Sequence, residues 1–198
     1  MSPLLQPLLW LGLVAALVMA LVWLLQWRSR NAGFVDVAWA LMLGSAALGF
    51  GWFAKGDVAT RIAVAVLGGL WGFRLGLHLL HRVLREPEDG RYAHLRAHWQ
   101  GDQGKFFGFF MVQALLVVLF AIPMLAAAQN PTPLDLPHLL VAVAIWCLAL
   151  GGESLADAQL DAFRRDPANR GKTCRDGLWR YSRHPNYFFE WLHWFAYV

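Results

Sequence analysis

Five apolar stretches, each close to the length that crosses a bilayer, leave this chain little room to be anything but a helical membrane protein. They run over about residues 3–26, 34–54, 60–84, 106–128 and 137–162, and a sixth segment begins near Pro185. A spanning helix needs roughly 20 mostly apolar residues, and backbone polar groups inside lipid are satisfied only within helices or closed barrels. The spacing predicts an all-α bundle of about six spans, forming one integral membrane domain over residues 1–198. Composition agrees, because 58% of the residues are hydrophobic and only 15% are charged, against about 25% in a soluble domain. Residues 1–25 lack the basic leader and small-residue cleavage site of a removable signal peptide, so they read as a retained first helix.

The charges orient the bundle. Arg28 and Arg30 follow the first span, Arg82, Arg85, Arg91, Arg96 and Lys105 lie between the third and fourth, and seven Lys or Arg from Arg164 to Arg183 follow the fifth. These loops alternate along the chain, whereas the intervening ones hold only Lys55 and Arg61. Positively charged loops stay in the cytoplasm, so the N-terminus is expected outside and the long polar loops inside. The formal charge of +4 is explained by topology, and no nucleic-acid partner is expected. Helices rich in Ala, Leu and Trp with short loops suggest a bacterial inner membrane. A monomer is expected, and neither Cys147 nor Cys174 is given a role.

Polar residues within or beside the spans are the candidates for chemistry. Gly68, Gly72 and Gly76 recur every four residues, a small-residue stripe that lets two helices approach closely. Glu153, Asp157 and Asp161 share one helical face, with Arg164 and Arg165 within pairing reach. That pattern suits either a solvated helix end or a wall that accepts from ribose and amide groups while arginines bind phosphate. Asp36 lies near the start of the second span, where an acid either snorkels to the interface as a carboxylate or is held in the bilayer for function; in the second case burial favours the neutral acid, which would donate to a substrate carbonyl. Arg74 and His78 share a face of the third span, and Gln113 interrupts the fourth. His78 with His81, and His94 with His98, have a spacing compatible with two metal ligands, but neither pair has an obvious third ligand, so no metal centre is expected.

The richest segment is Gly177-Leu-Trp-Arg-Tyr-Ser-Arg-His-Pro-Asn-Tyr-Phe-Phe-Glu-Trp191, where the chain re-enters the membrane. Interface anchoring explains Trp179, Arg180 and Tyr181 but not Asn186 and Glu190, one turn apart in apolar surroundings. This segment resembles the C-terminal signature of the membrane steroid 5α-reductase family, in its bacterial reductase-like branch, and is similar to sterol C14 reductases. Its Arg183-His-Pro-Asn-Tyr187 core also resembles isoprenylcysteine carboxyl methyltransferases. Upstream, Asp157-Ala-Gln-Leu-Asp-Ala-Phe-Arg164 and Cys174-Arg-Asp-Gly-Leu-Trp179 resemble the reductase pattern, as do Asn31-Ala-Gly-Phe-Val-Asp-Val-Ala-Trp39 and Gly72-Phe-Arg-Leu-Gly-Leu-His78.

The resemblance implies an NADPH site lined by Asp157, Arg164, Arg175, Tyr181, Arg183, His184, Asn186, Tyr187 and Glu190, facing the cytoplasm. Gln113 is a further candidate for orienting the nicotinamide. It also implies reduction of a carbon–carbon double bond conjugated to a ketone, in an apolar substrate of the 3-oxo-Δ4-steroid kind. Asp36 and His78 are the expected donors to the carbonyl, the histidine standing about where the family has a tyrosine. Two departures are expected to matter: Phe189 replaces the family's usual Gly, and the family continues for a seventh helix and a basic tail, so the chain reads as C-terminally truncated. The alternatives are a membrane methyltransferase using S-adenosylmethionine and a non-catalytic sterol- or lipid-binding protein.

Overall fold

The helix starts follow from short-range chemistry. In the computed structural model, which describes residues 4–197, four successive helices begin at an aspartate whose carboxylate accepts from the free N–H groups of the first turn. Asp57 accepts from Thr60 N and opens α3 (Val58–Arg85). Asp89 opens α4 (Gly90–His98), Asp102 opens α5 (Gln103–Gln129) and Asp135 opens α6 (Leu136–Arg165). Before them come α1 (Leu5–Ser29) and α2 (Phe34–Phe53). Arg28, Arg82, Arg85, Arg164 and Arg165 lie in final turns, where the helix dipole favours cations.

Five helices, α1, α2, α3, α5 and α6, are long and apolar enough to cross a membrane, so the chain is an all-helical membrane bundle. The segment expected to begin a sixth span forms α7 (Pro185–His193), nine residues long, followed by a 3-10 turn at Trp194–Tyr197. No strand occurs among the described residues. The outward row Leu9, Trp10, Leu13, Leu17 and Leu21 on α1 is exposed, as suits a surface solvated by lipid tails.

The helices group into two compact units, Met1–Pro133 and Leu134–Val198. In the first, α2 and α3 form a hairpin whose backbones approach closely at Gly44 and Gly72: a Cβ added at Gly72 would lie 2.6 Å from the Gly44 backbone. The glycine stripe is therefore a packing device here. Helices α1 and α5 pair antiparallel, with Trp23 Nε1 donating to Gln103 O at 3.1 Å. At the opposite end the α2–α3 turn is tied to the end of α5, since Gly56 N donates to Ala128 O at 3.2 Å and Asp57 N to Asn130 O at 2.8 Å. Trp71, Phe106, Phe110, Met19, Leu43 and Met124 are fully buried between these helices.

In the second unit α7 packs back on α6. Phe189 lies directly over Gly152, where a Cβ would come within 2.3–2.5 Å of its ring. The phenylalanine noted above as a departure thus fits because residue 152 has no side chain. Trp179 Nε1 donates to Ala156 O at 2.9 Å, and Gln159 Oε1 accepts from Leu178 N at 2.9 Å, fixing the 3-10 turn Gly177–Arg180 onto α6. Gly177 has φ +56°, a conformation that strains residues with a Cβ.

Candidate functional site

Polar side chains of the first unit converge where α1 and α3 end and α2 and α5 begin. The short helix α4 brings them there. Its Tyr92 is buried, and Tyr92 Oη donates to Asp36 Oδ1 at 2.7 Å. Arg91 Nη2 reaches Asp36 Oδ2 at 3.3 Å. Both oxygens of Asp36 thus have a hydrogen-bond partner on α4. Burial, the Asp36 charge and the bond to Asp36 together push the Tyr92 phenol well above its ordinary range, so it remains a neutral donor.

Asp89 joins α4 to α3. Its Oδ1 accepts from Arg91 N and Arg91 Nε, each at 3.0 Å, and it pairs with Arg82. Burial pushes the Asp89 carboxyl up, but the Arg91 hydrogen bonds and the charges of Arg91 and Arg82 outweigh this and hold it below the usual range. A carboxyl with a depressed folded-state pKa adds stability that is present above its unfolded value, about 3.9, and is lost as pH falls through the folded value. The stability gap between wild type and Asp89→Asn is therefore expected to be widest above about pH 4 and to close in stronger acid. Chemical denaturation across that range in detergent checks it; a gap that widens on acidification contradicts the assignment.

A second layer backs the first. Glu88 takes Arg96 in a two-pronged pair, with Nη2–Oε1 at 2.7 Å and Nε–Oε2 at 3.0 Å, and Glu88 Oε1 also accepts from Ala32 N at 2.8 Å. Arg96 Nη2 then donates to Gln26 Oε1 at 3.2 Å, and Gln26 Nε2 to Gln103 Oε1 at 2.8 Å. Gln26 is completely buried. A narrow cleft beside Asp36 is lined by Asn31, Leu79, Arg82, Val83 and Asp89. Glu88, Asp89, Gln26 and Gln103 do not stand out in the sequence as site residues. The readable signal was Asp89 as a helix cap before Gly-Arg-Tyr, while Glu88 gave none.

The other candidates of this unit lie within the long helices. His78 is half-buried on α3, one turn before Arg82, and Gln113 is half-buried on α5. The described bonds of Asp36 do not include His78.

In the second unit, Asn186 Nδ2 on α7 donates to Asp157 Oδ1 on α6 at 3.3 Å. The Asn186 Oδ1 atom is buried, and no donor among the described residues reaches it. Glu190 follows one turn later and is half-buried; His184 stacks on Tyr187 at 5.3 Å between centroids. Arg164, Arg175, Tyr181, Arg183, His184 and Tyr187 are exposed. The unit therefore joins Asp157 to Asn186 and leaves the guanidinium groups of Arg164, Arg175 and Arg183 exposed.

Residues 22–198 match a family model described as "Protein of unknown function (DUF1295)". No curated protein and no solved structure matches the chain.

Proposed function

The chain belongs to this DUF1295 family, and from its site residues we propose that it is a membrane reductase that uses NADPH to saturate the double bond of an α,β-unsaturated ketone in an apolar substrate, most simply a 3-oxo-Δ4-steroid. The observation that carries this reading is the Asp157–Asn186 pair, with a buried amide oxygen that lacks a donor among the described residues. A buried acceptor without a partner costs about 1–3 kcal/mol, a cost that a ligand N–H would remove. Asn186 and Asp157 would hold the carboxamide and ribose groups. The exposed Arg164, Arg175 and Arg183 match the pyrophosphate and 2′-phosphate in charge, whereas S-adenosylmethionine has no phosphate to engage them.

When bound, NADPH supplies the hydride. The chain's part is to bind the apolar substrate and to stabilise the oxygen on which negative charge gathers, where a preorganised donor has its largest effect. Asp36 already accepts through both oxygens, so in this reading the donor role falls to His78, and Asp36 serves by fixing α4 against α2. The proposed orientation keeps the cofactor side in the cytoplasm, following the charge asymmetry of the loops.

A thermal-shift measurement on the purified chain tests the reading. NADPH at a hundredfold excess over Kd is expected to stabilise by about 2.7 kcal/mol, with the shift abolished in Asn186→Ala and in Arg183→Ala, and with S-adenosylmethionine inert. Stabilisation by S-adenosylmethionine but not by NADPH selects the methyltransferase instead. Retention of a steroid without any nicotinamide oxidation selects a binding protein.

A further inference from the structure

Helix α4 has two faces with different fates. Its inner face is fastened by Tyr92 to Asp36 and by Arg96 to Glu88 and Gln26. Its outer face carries His94 and His98, both exposed. Four residues apart, they project from one side of the helix a turn from each other, and their rings are nearly parallel, with 9° between planes and 6.4 Å between centroids. A nine-residue helix is too short to persist on its own propensity. The contacts on the inner face are what hold this outer platform in place, and the reductase reading gives the two histidines nothing to do.

We propose that His94 and His98 form a two-imidazole site for a divalent transition-metal ion of the zinc, nickel or copper class. Neutral imidazole suits these ions, whereas magnesium and calcium require oxygen ligands. Two histidines at this spacing on one helical face are a recurrent way to present both rings to one ion. Exposed side chains are free to rotate until each nitrogen lies about 2.0–2.1 Å from the metal. Ala93 and Ala97 on the same exposed side leave room for that rotation. Arg91, three residues before His94 on the same helix, is drawn toward Asp36 and Asp89, which reduces its repulsion of an incoming ion. Among the described residues no group of three His, Cys, Asp or Glu could hold a metal. Two rings and water would therefore hold the ion, making it exchangeable, and its effect would be to staple the helix that carries Tyr92.

The test is titration calorimetry of the full chain in lipid nanodiscs, free of any affinity tag, with zinc, nickel and magnesium chlorides. Zinc and nickel are expected to bind one ion per chain and magnesium none. Outer-shell partners of metal sites are worth roughly 10–100-fold in affinity, so losing a ligand in His94→Ala or His98→Ala should weaken binding at least that much. His81→Ala should leave it unchanged. Alanine is the best helix former, so these exposed substitutions preserve α4, which circular dichroism verifies. Absence of zinc and nickel binding overturns the site. So does binding that survives in the His94→Ala/His98→Ala double variant, or that is lost in His81→Ala.

Discussion

Gly72→Ala is expected to destabilise the α2–α3 hairpin far more than alanine at Gly76 or Gly49. The added Cβ would lie 2.6 Å from both Cα and N of Gly44 and 2.8 Å from Ala40 O. All three are backbone atoms of α2 and cannot rotate away. The helices must therefore separate, at the seam where the buried residues Leu43, Ala47, Leu67 and Trp71 lie. Overpacking of this sort costs about 1–3 kcal/mol and sometimes more. Two other glycines calibrate the result. At Gly76 the nearest atoms belong to the flexible Leu41 side chain at 2.5 Å, so alanine should cost less; at Gly49 nothing lies within 4 Å, so alanine should be neutral or slightly favourable. Thermal melts of the three variants in one detergent check the order. Equal losses at Gly72 and Gly49 would mean that the close approach does not govern the hairpin.

This stripe shows how the sequence informs the fold and where it stops. A four-residue repeat of glycine on an apolar helix announces close packing, but nothing in it points to Gly44 as the partner. The long helices were readable because lipid imposes one length and one composition on all of them. The span expected over residues 60–84 is observed as Val58–Arg85, and that over 137–162 as Leu136–Arg165, the extra residues being capped or charged ends. Helix α4 is not legible in the sequence because it is short and polar. Its stability comes from residues far away in the chain, Gln26 lying 70 positions from Arg96. The same reason hid the setting of Asp36. An acid in an apolar stretch stands out in sequence, whereas its phenol and guanidinium partners exist only once the α3–α5 connection has folded. The Asp157–Asn186 pair was within reach, since a carboxylate face on α6 meets a helix that begins at Pro185.

Arg96→Ala is the second substitution from which a large loss is expected, and it reaches the candidate site through backbone. Arg96 and Glu88 have side chains only 16% and 12% exposed, so truncating the arginine leaves a carboxylate largely out of water. Breaking one side of a buried pair costs about 3–5 kcal/mol, and the residual exposure here argues for the lower end. Gln26, fully buried, loses a donor at the same time, and Phe106 loses the guanidinium 4.7 Å above its ring. At a few degrees per kcal/mol, the melting temperature should fall by about 10 °C. Glu88→Gln should be milder, because an amide oxygen still accepts from Ala32 N and no uncompensated charge remains. The Arg96→Met/Glu88→Leu pair separates charge from geometry. It removes both ions together, which is often near neutral, yet it still abolishes the bond that positions Ala32 in the turn before Asp36. Stability should then largely return, while proteolysis or hydrogen exchange at residues 30–36 stays raised. Full recovery of both would show that Glu88 only neutralises Arg96, and that the turn leading into Asp36 is held by its own sequence.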